Sequence, residues 1–176
     1  MKRAIICCAL LTLLASACAG ATSRTARPLE IRYSGTDVLA CVPVDEGEAV
    51  EIDAAGVSPI MVDGREIQKP WSIVLDDGHP PYLLAPGDCL IYGQLPEGYS
   101  EVIAPAELES EWPYSFAIRS PEWGKHGTRN HAVDFCVRSG GDMLAVAVPE
   151  RQTAITVETC RRLLDAASAG NRSVPR

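Results

Sequence analysis

Asp134-Phe135-Cys136-Val137-Arg138, then Gly140-Gly141-Asp142, then Leu144-Ala145-Val146-Ala147-Val148 follow one another almost without a break. Two β-prone runs flank a glycine-rich reversal, the pattern of an antiparallel hairpin. Side chains alternate across a strand, so Cys136 shares a face with Asp134 and Arg138, while Val133, Phe135 and Val137 point to the opposite one. The second face is apolar enough to meet a core, and the first carries a cysteine.

The same pattern recurs upstream. Short β-type runs span residues 29–33, 38–44, 49–53, 58–62, 71–75, 82–84 and 89–92, followed by 99–104, 114–119, 132–138 and 143–148. Asp63-Gly64, Asp77-Gly78 and Pro86-Gly87 supply tight reversals between them. Many short strands with such punctuation predict a mainly β domain, an antiparallel β-sandwich of immunoglobulin-like type. One short C-terminal helix completes it, because Cys160, Leu163, Leu164 and Ala167 recur at helical spacing and Gly170 stands at the C-cap position. Its apolar stripe is expected on the sheet, and a bond from Cys160 to Cys136 would pin it against the outer face of the hairpin.

The N-terminal segment reads as an address. Lys2 and Arg3 precede an apolar run from Ala4 to Leu14, and Ala15-Ser16-Ala17 leads into Cys18. This is a secretory signal, too short to span a bilayer, with cysteine at the first mature position. Residues 1–17 are therefore expected to be a lipoprotein signal peptide and Cys18 the lipidated residue, although Ala15 stands where such signals usually carry Leu. Ordinary cleavage after Ala17 or Ala19 is the alternative. Two or more acyl chains would hold the chain firmly on a membrane. Ala19, in place of an aspartate, favours the periplasmic side of the outer membrane. Residues 18–28 are small and polar, a flexible tether; residues 29–170 form the single domain; residues 171–176 form a disordered tail.

Of seven cysteines, Cys7 and Cys8 leave with the signal and Cys18 takes the lipid, so Cys41, Cys89, Cys136 and Cys160 remain. In an exported chain an even set reads as two disulfides, with three possible connectivities. Pairing Cys41 with Cys89 and Cys136 with Cys160 is favoured because each bond then staples a sequence-local unit. No Cys-x-x-Cys pair is present, which argues against zinc.

The formal charge is −7, and removal of Lys2 and Arg3 with the signal takes it to −9. An acidic chain of this kind lacks the basic surface that nucleic acid requires. Catalytic groups are sparse. The three histidines are His79, in the turn-forming Asp76-Asp77-Gly78-His79-Pro80-Pro81, and His126 and His131, whose five-residue spacing with Asp134 nearby suits no simple metal pair. No nucleophile elbow, zinc-protease motif or phosphate loop occurs. Glu107, Glu109 and Glu111 would line one face at strand spacing and could pair as the acid and base of a glycosidase, but a charged loop edge is the commoner arrangement. The chain is accordingly read as a non-enzyme with no cofactor and no metal.

Residues 105–129 are more informative as a surface. Glu107, Glu109 and Glu111 run into Trp112, and Trp123 follows in a second polar, Pro- and Gly-rich loop. Aromatic side chains set in such loops beside charge are typical anchors for a protein partner, so these five residues form the expected partner-binding surface. The competing reading has both tryptophans capping the open ends of the sandwich; Trp71, at a strand start, is expected in the core.

Val38-Leu39-Ala40-Cys41, Trp71, Tyr82-Leu83-Leu84-Ala85-Pro86-Gly87-Asp88-Cys89-Leu90, Gly98-Tyr99 and Tyr114-Ser115-Phe116 follow one another in an order that resembles the type VI secretion immunity periplasmic lipoproteins. The match covers roughly residues 36–118, and Pro86-Gly87-Asp88-Cys89 is its most specific piece. The resemblance implies a tethered periplasmic β-sandwich that binds and blocks a toxic effector delivered by another cell, and it supports the Cys41–Cys89 pairing. Two further readings stand beside it: an accessory envelope lipoprotein that binds another envelope component, and a small-ligand binder, whose sign would be a preformed apolar pocket.

Overall fold

Tyr114, Phe116 and Ile118 are buried and alternate with less buried neighbours along one strand, and the chain organises itself around that strand. The computed structural model describes residues 26–62, 70–121, 129–138, 144–148 and 155–171. The strands are β1 (Arg27–Pro28), β2 (Glu30–Ser34), β3 (Asp37–Cys41), β4 (Val50–Ile52), β5 (Ala54–Pro59) and β6 (Trp71–Leu75). They continue with β7 (Tyr82–Leu84), β8 (Cys89–Ile91), β9 (Tyr99–Ile103), β10 (Pro113–Ser120), β11 (Arg129–Arg138) and β12 (Leu144–Ala147), and a helix α1 (Val157–Asn171) follows. The protein is mainly β.

The largest sheet has the order β1-β11-β10-β5-β6-β9, with β12 also pairing with β11. β11 is long enough to hold two neighbours on one side: its first part meets β1 in parallel, and its last part meets β12 antiparallel from Phe135 opposite Ala147 to Arg138 opposite Leu144. The hairpin pairing expected from the sequence is thus present, while its Gly140-Gly141-Asp142 reversal lies outside the described residues. Two smaller antiparallel sheets, β2-β3-β8 and β4-β7, complete the β structure.

Register explains the core. Phe116 sits opposite Val133 on β11 and Val57 on β5, and Val57 in turn faces Trp71 on β6. The Trp71 indole is fully buried and meets Phe116 and Tyr92 edge-on, with ring centroids 5.9 Å and 5.7 Å away. Val38, Ala40, Ile52, Leu84 and Leu90 from the smaller sheets join the same cluster.

A second cluster lies on the outer face. Cys136, Val148, Cys160 and Leu164 are buried together, with Leu144, Val146, Ile155 and Leu163 packed against them. Cys136–Cys160 joins β11 to α1, and Cys41–Cys89 joins the directly paired residues of β3 and β8. The outer-face cysteine therefore does what alternation on β11 suggests: it fastens the helix to the sheet. The Thr156 hydroxyl accepts the Thr159 N–H at 3.1 Å, capping the start of the helix.

Most strand limits shift by one to three residues from expectation, and three departures bear on the fold. Arg27 and Pro28 fall within the expected tether, yet they form β1, where Arg27 pairs with the Glu46 carboxylate and Leu29 N–H donates to Ala132 O at 3.3 Å. β5 begins at Ala54, four residues before the run at 58–62, because pairing with β6 and β10 on both sides outweighs the weak β preference of Ala54-Ala55-Gly56. Gly56 is required there: a Cβ would sit 2.8 Å from the Trp71 backbone oxygen, which the sheet holds in place. The helix runs through Gly170 to Asn171, so Gly170 is not a C-cap and the expected tail begins at least one residue later. Residues 1–25, including Cys18, and 172–176 lie outside the described residues.

Candidate interaction surface

The segment 104–112 connects β9 to β10 without regular structure, and its shape follows from a few anchors. Leu108 and Trp112 are buried, 4% and 3% exposed. The Trp112 indole N–H donates to Ile60 O at 3.2 Å, and the Tyr114 hydroxyl accepts the Glu109 N–H at 2.6 Å. Tyr92 holds the other end: its hydroxyl donates to Pro70 O at 3.0 Å and accepts the Ala106 N–H at 3.1 Å. Burial pushes the Tyr114 phenol up to about 12, and it raises Tyr92 in the same direction.

Trp112 is therefore not an exposed anchor. Of the two readings the sequence offers, anchor or cap, burial agrees with the second: the loop folds back and inserts the ring beside Ile60, where its one polar atom finds a carbonyl. Glu111 is also committed to the fold. Its backbone has φ 64°, a left-handed conformation unusual for a residue with a Cβ, and its N–H donates to Val137 O at 2.7 Å. That kink turns its carboxylate toward Arg138, at 3.3 Å, and Arg161, at 3.2 Å. Arg138 also meets Asp165 at 2.9 Å and Arg161 meets Glu158 at 2.9 Å, so the network ties the loop, β11 and α1 together beside the Cys136–Cys160 bond. The Glu111 carboxylate, and after it that of Glu158, holds Arg161 above its ordinary guanidinium value.

Glu107 and Glu109 remain exposed on this tightly held backbone. Of the five residues expected to form the surface, these two are presented to solvent, Trp112 and Glu111 are internal or engaged, and Trp123 lies outside the described residues. His126 does too. His131 and Asp134 fall on opposite faces of β11, His131 buried opposite Ile118, so the strand does not bring them together. Among the described residues no group of three or more His, Cys, Asp or Glu is gathered as metal ligands would be.

A second feature was not legible in the sequence. His79, Pro80, Pro81, Tyr82, Gln94, Pro96 and Glu97 line an open groove of about 540 Å³. Its floor is fixed by Tyr99, whose hydroxyl accepts the Tyr82 N–H at 3.0 Å and donates to Ile52 O, joining β9, β7 and β4. Gly98 follows the lining residue Glu97 and lies against His79. It has φ +81°, and a Cβ on it would lie 2.7 Å from the His79 Nδ1. The contributing segments, 79–82 and 94–97, approach only through this folding.

The Pro86-Gly87-Asp88-Cys89 segment forms a stapled turn. The Asp88 carboxylate accepts the Ala85 N–H at 3.0 Å, Gly87 N–H donates to Val42 O at 2.9 Å, and Cys89 closes the bond to Cys41. Compared with known protein families, with curated proteins and with solved structures, the chain matches none. No helix among the described residues is long and apolar enough to cross a membrane.

Proposed function

We propose that this chain is a lipid-anchored envelope protein that binds and occludes a secreted antibacterial effector, acting by binding without catalysis. The observation that carries the reading is the ridge of Glu107 and Glu109. Both carboxylates are exposed, yet the backbone that bears them is fixed by Leu108, Trp112 and the Tyr114 hydroxyl. A rigid acidic ridge loses little freedom on binding and accelerates encounter with a basic surface, which suits an inhibitor that blocks a cleft. Two disulfides add to the rigidity and suit an oxidising envelope compartment.

In this reading the three sheets pack as an immunoglobulin-like sandwich, a proposal supported by the single apolar cluster to which all three contribute. Cys18 carries the lipid on the periplasmic side of the outer membrane, and the effector belongs to the type VI secretion class that the resemblance implies. The test is complex formation between the exported protein, disulfides intact, and the product of the adjacent gene, followed by light scattering. A stoichiometric complex that Glu107→Lys with Glu109→Lys weakens at least tenfold is expected. Separate elution of the two proteins at micromolar concentration would remove the reading in favour of an accessory envelope lipoprotein.

A further inference from the structure

The groove between segments 79–82 and 94–97 has a chemical character distinct from the acidic ridge. Pro80, Pro81, Pro96 and Tyr82 line it together with the polar residues His79, Gln94 and Glu97; neither lysine nor arginine contributes to the lining. Glu97 is exposed and makes no ion pair among the described residues, unlike Glu46, Asp53 and Glu111, which are each held by an arginine. Asp76 and Asp77 belong to the adjoining turn, where His79 N–H donates to Asp76 O at 3.2 Å and Asp76 N–H to Gly98 O at 2.9 Å. The site is thus an apolar channel with an uncompensated carboxylate at its wall and further negative charge beside it.

We propose that this groove seats an arginine side chain presented by a protein partner. The methylene stem would lie along the proline rings, the planar guanidinium would stack on the Tyr82 ring, and the Glu97 carboxylate would accept its N–H groups. A mostly apolar lining with one exposed carboxylate suits a cation carried on an apolar stem, as in an arginine side chain, better than a small hydrated cation. The Tyr99 hydroxyl holds the backbone at Tyr82, and the Gln94 Oε1 accepts the Ile91 N–H at 3.1 Å, so both segments of the lining are anchored to the fold. The proposal rests on the reading of the chain as a protein binder and assigns it a second contact.

The test is a titration of the isotope-labelled exported protein with acetyl-Gly-Arg-Gly-amide, followed by amide chemical shifts, with the citrulline peptide as the uncharged match. Saturable shifts at Tyr82, Gln94 and Glu97 are expected in the millimolar range, with binding about three- to fivefold weaker for citrulline and for Glu97→Gln. Tyr82→Leu, which keeps bulk but removes the ring, should weaken binding by a similar factor. Equal affinity for the two peptides, no saturable shift at these residues, or shifts centred on 107–112 would each overturn the assignment. The probe contains no effector, so this result is independent of the complex-formation assay.

Discussion

Replacing Trp112 by alanine tests the loop architecture most sharply, because a surface anchor and a core side chain predict opposite outcomes. The ring is 3% exposed and its N–H is spent on Ile60 O. Truncating a buried tryptophan costs about 3–5 kcal/mol through lost transfer energy and the cavity left behind. Loss of the hydrogen bond adds about 1 kcal/mol. Against a total stability of about 5–15 kcal/mol, the variant loses about a quarter or more of its reserve. In urea, with a slope of about 2 kcal/mol/M, the midpoint should fall by about 2–3 M. The Glu107→Lys, Glu109→Lys variant provides the contrast, since exposed substitutions change stability by less than about 0.5 kcal/mol. A Trp112→Ala midpoint within about 0.3 M of the parent, with an unchanged slope, would refute the placement of the ring.

Removing Cys136 and Cys160 together, each as alanine, opens a loop of 24 residues and should cost about 3.5 kcal/mol on loop-closure grounds, with hydrogen exchange accelerated first in α1; uniform protection across α1 would contradict its fastening to β11. Alkaline pH should destabilise the fold through its buried phenols. The folded pKa of Tyr114 is raised to about 12, so the folded state binds more protons than the unfolded one above pH 10; stability is complete below pH 10 and falls as pH rises toward 12. Tyr114→Phe should flatten that fall in urea midpoints at successive pH values, and an equally steep loss would show that this phenol is not responsible. Gly98→Ala should displace the His79 ring and shift its imidazole resonances while costing about 1–2 kcal/mol for the positive φ; unchanged resonances would mean that the close approach is not real.

The strands were legible because alternation and punctuation are local signals. Trp71 to Leu75 and Tyr82 to Leu84 are strands with the same limits in sequence and structure. Alternation about Cys136 also told which face would take the helix, since strand periodicity fixes side-chain direction before any tertiary contact is known. β1 escaped notice because a two-residue parallel strand with a proline exists only by virtue of β11 beside it. The two readings of Trp112, as a surface anchor or as a cap on the sandwich, stay open in the sequence for a related reason: a polar, Pro-containing loop around a tryptophan describes the chain's path, not whether that path returns to the core. The structure settles it in favour of burial, with the indole N–H on the carbonyl of Ile60, 52 residues away. The groove was hidden because segments 79–82 and 94–97 carry no shared motif and meet only through Tyr99 and Gly98.

Growth protection tests the central claim most directly. Cells that export the adjacent gene's product to the periplasm would be grown with and without this chain, supplied with its own N-terminal segment and as the Glu107→Lys, Glu109→Lys variant. Protection by the parent chain, lost in the charge-reversed variant at equal abundance, is the expected result. Equal killing with and without the parent chain, at verified expression and with both disulfides formed, would contradict the immunity reading.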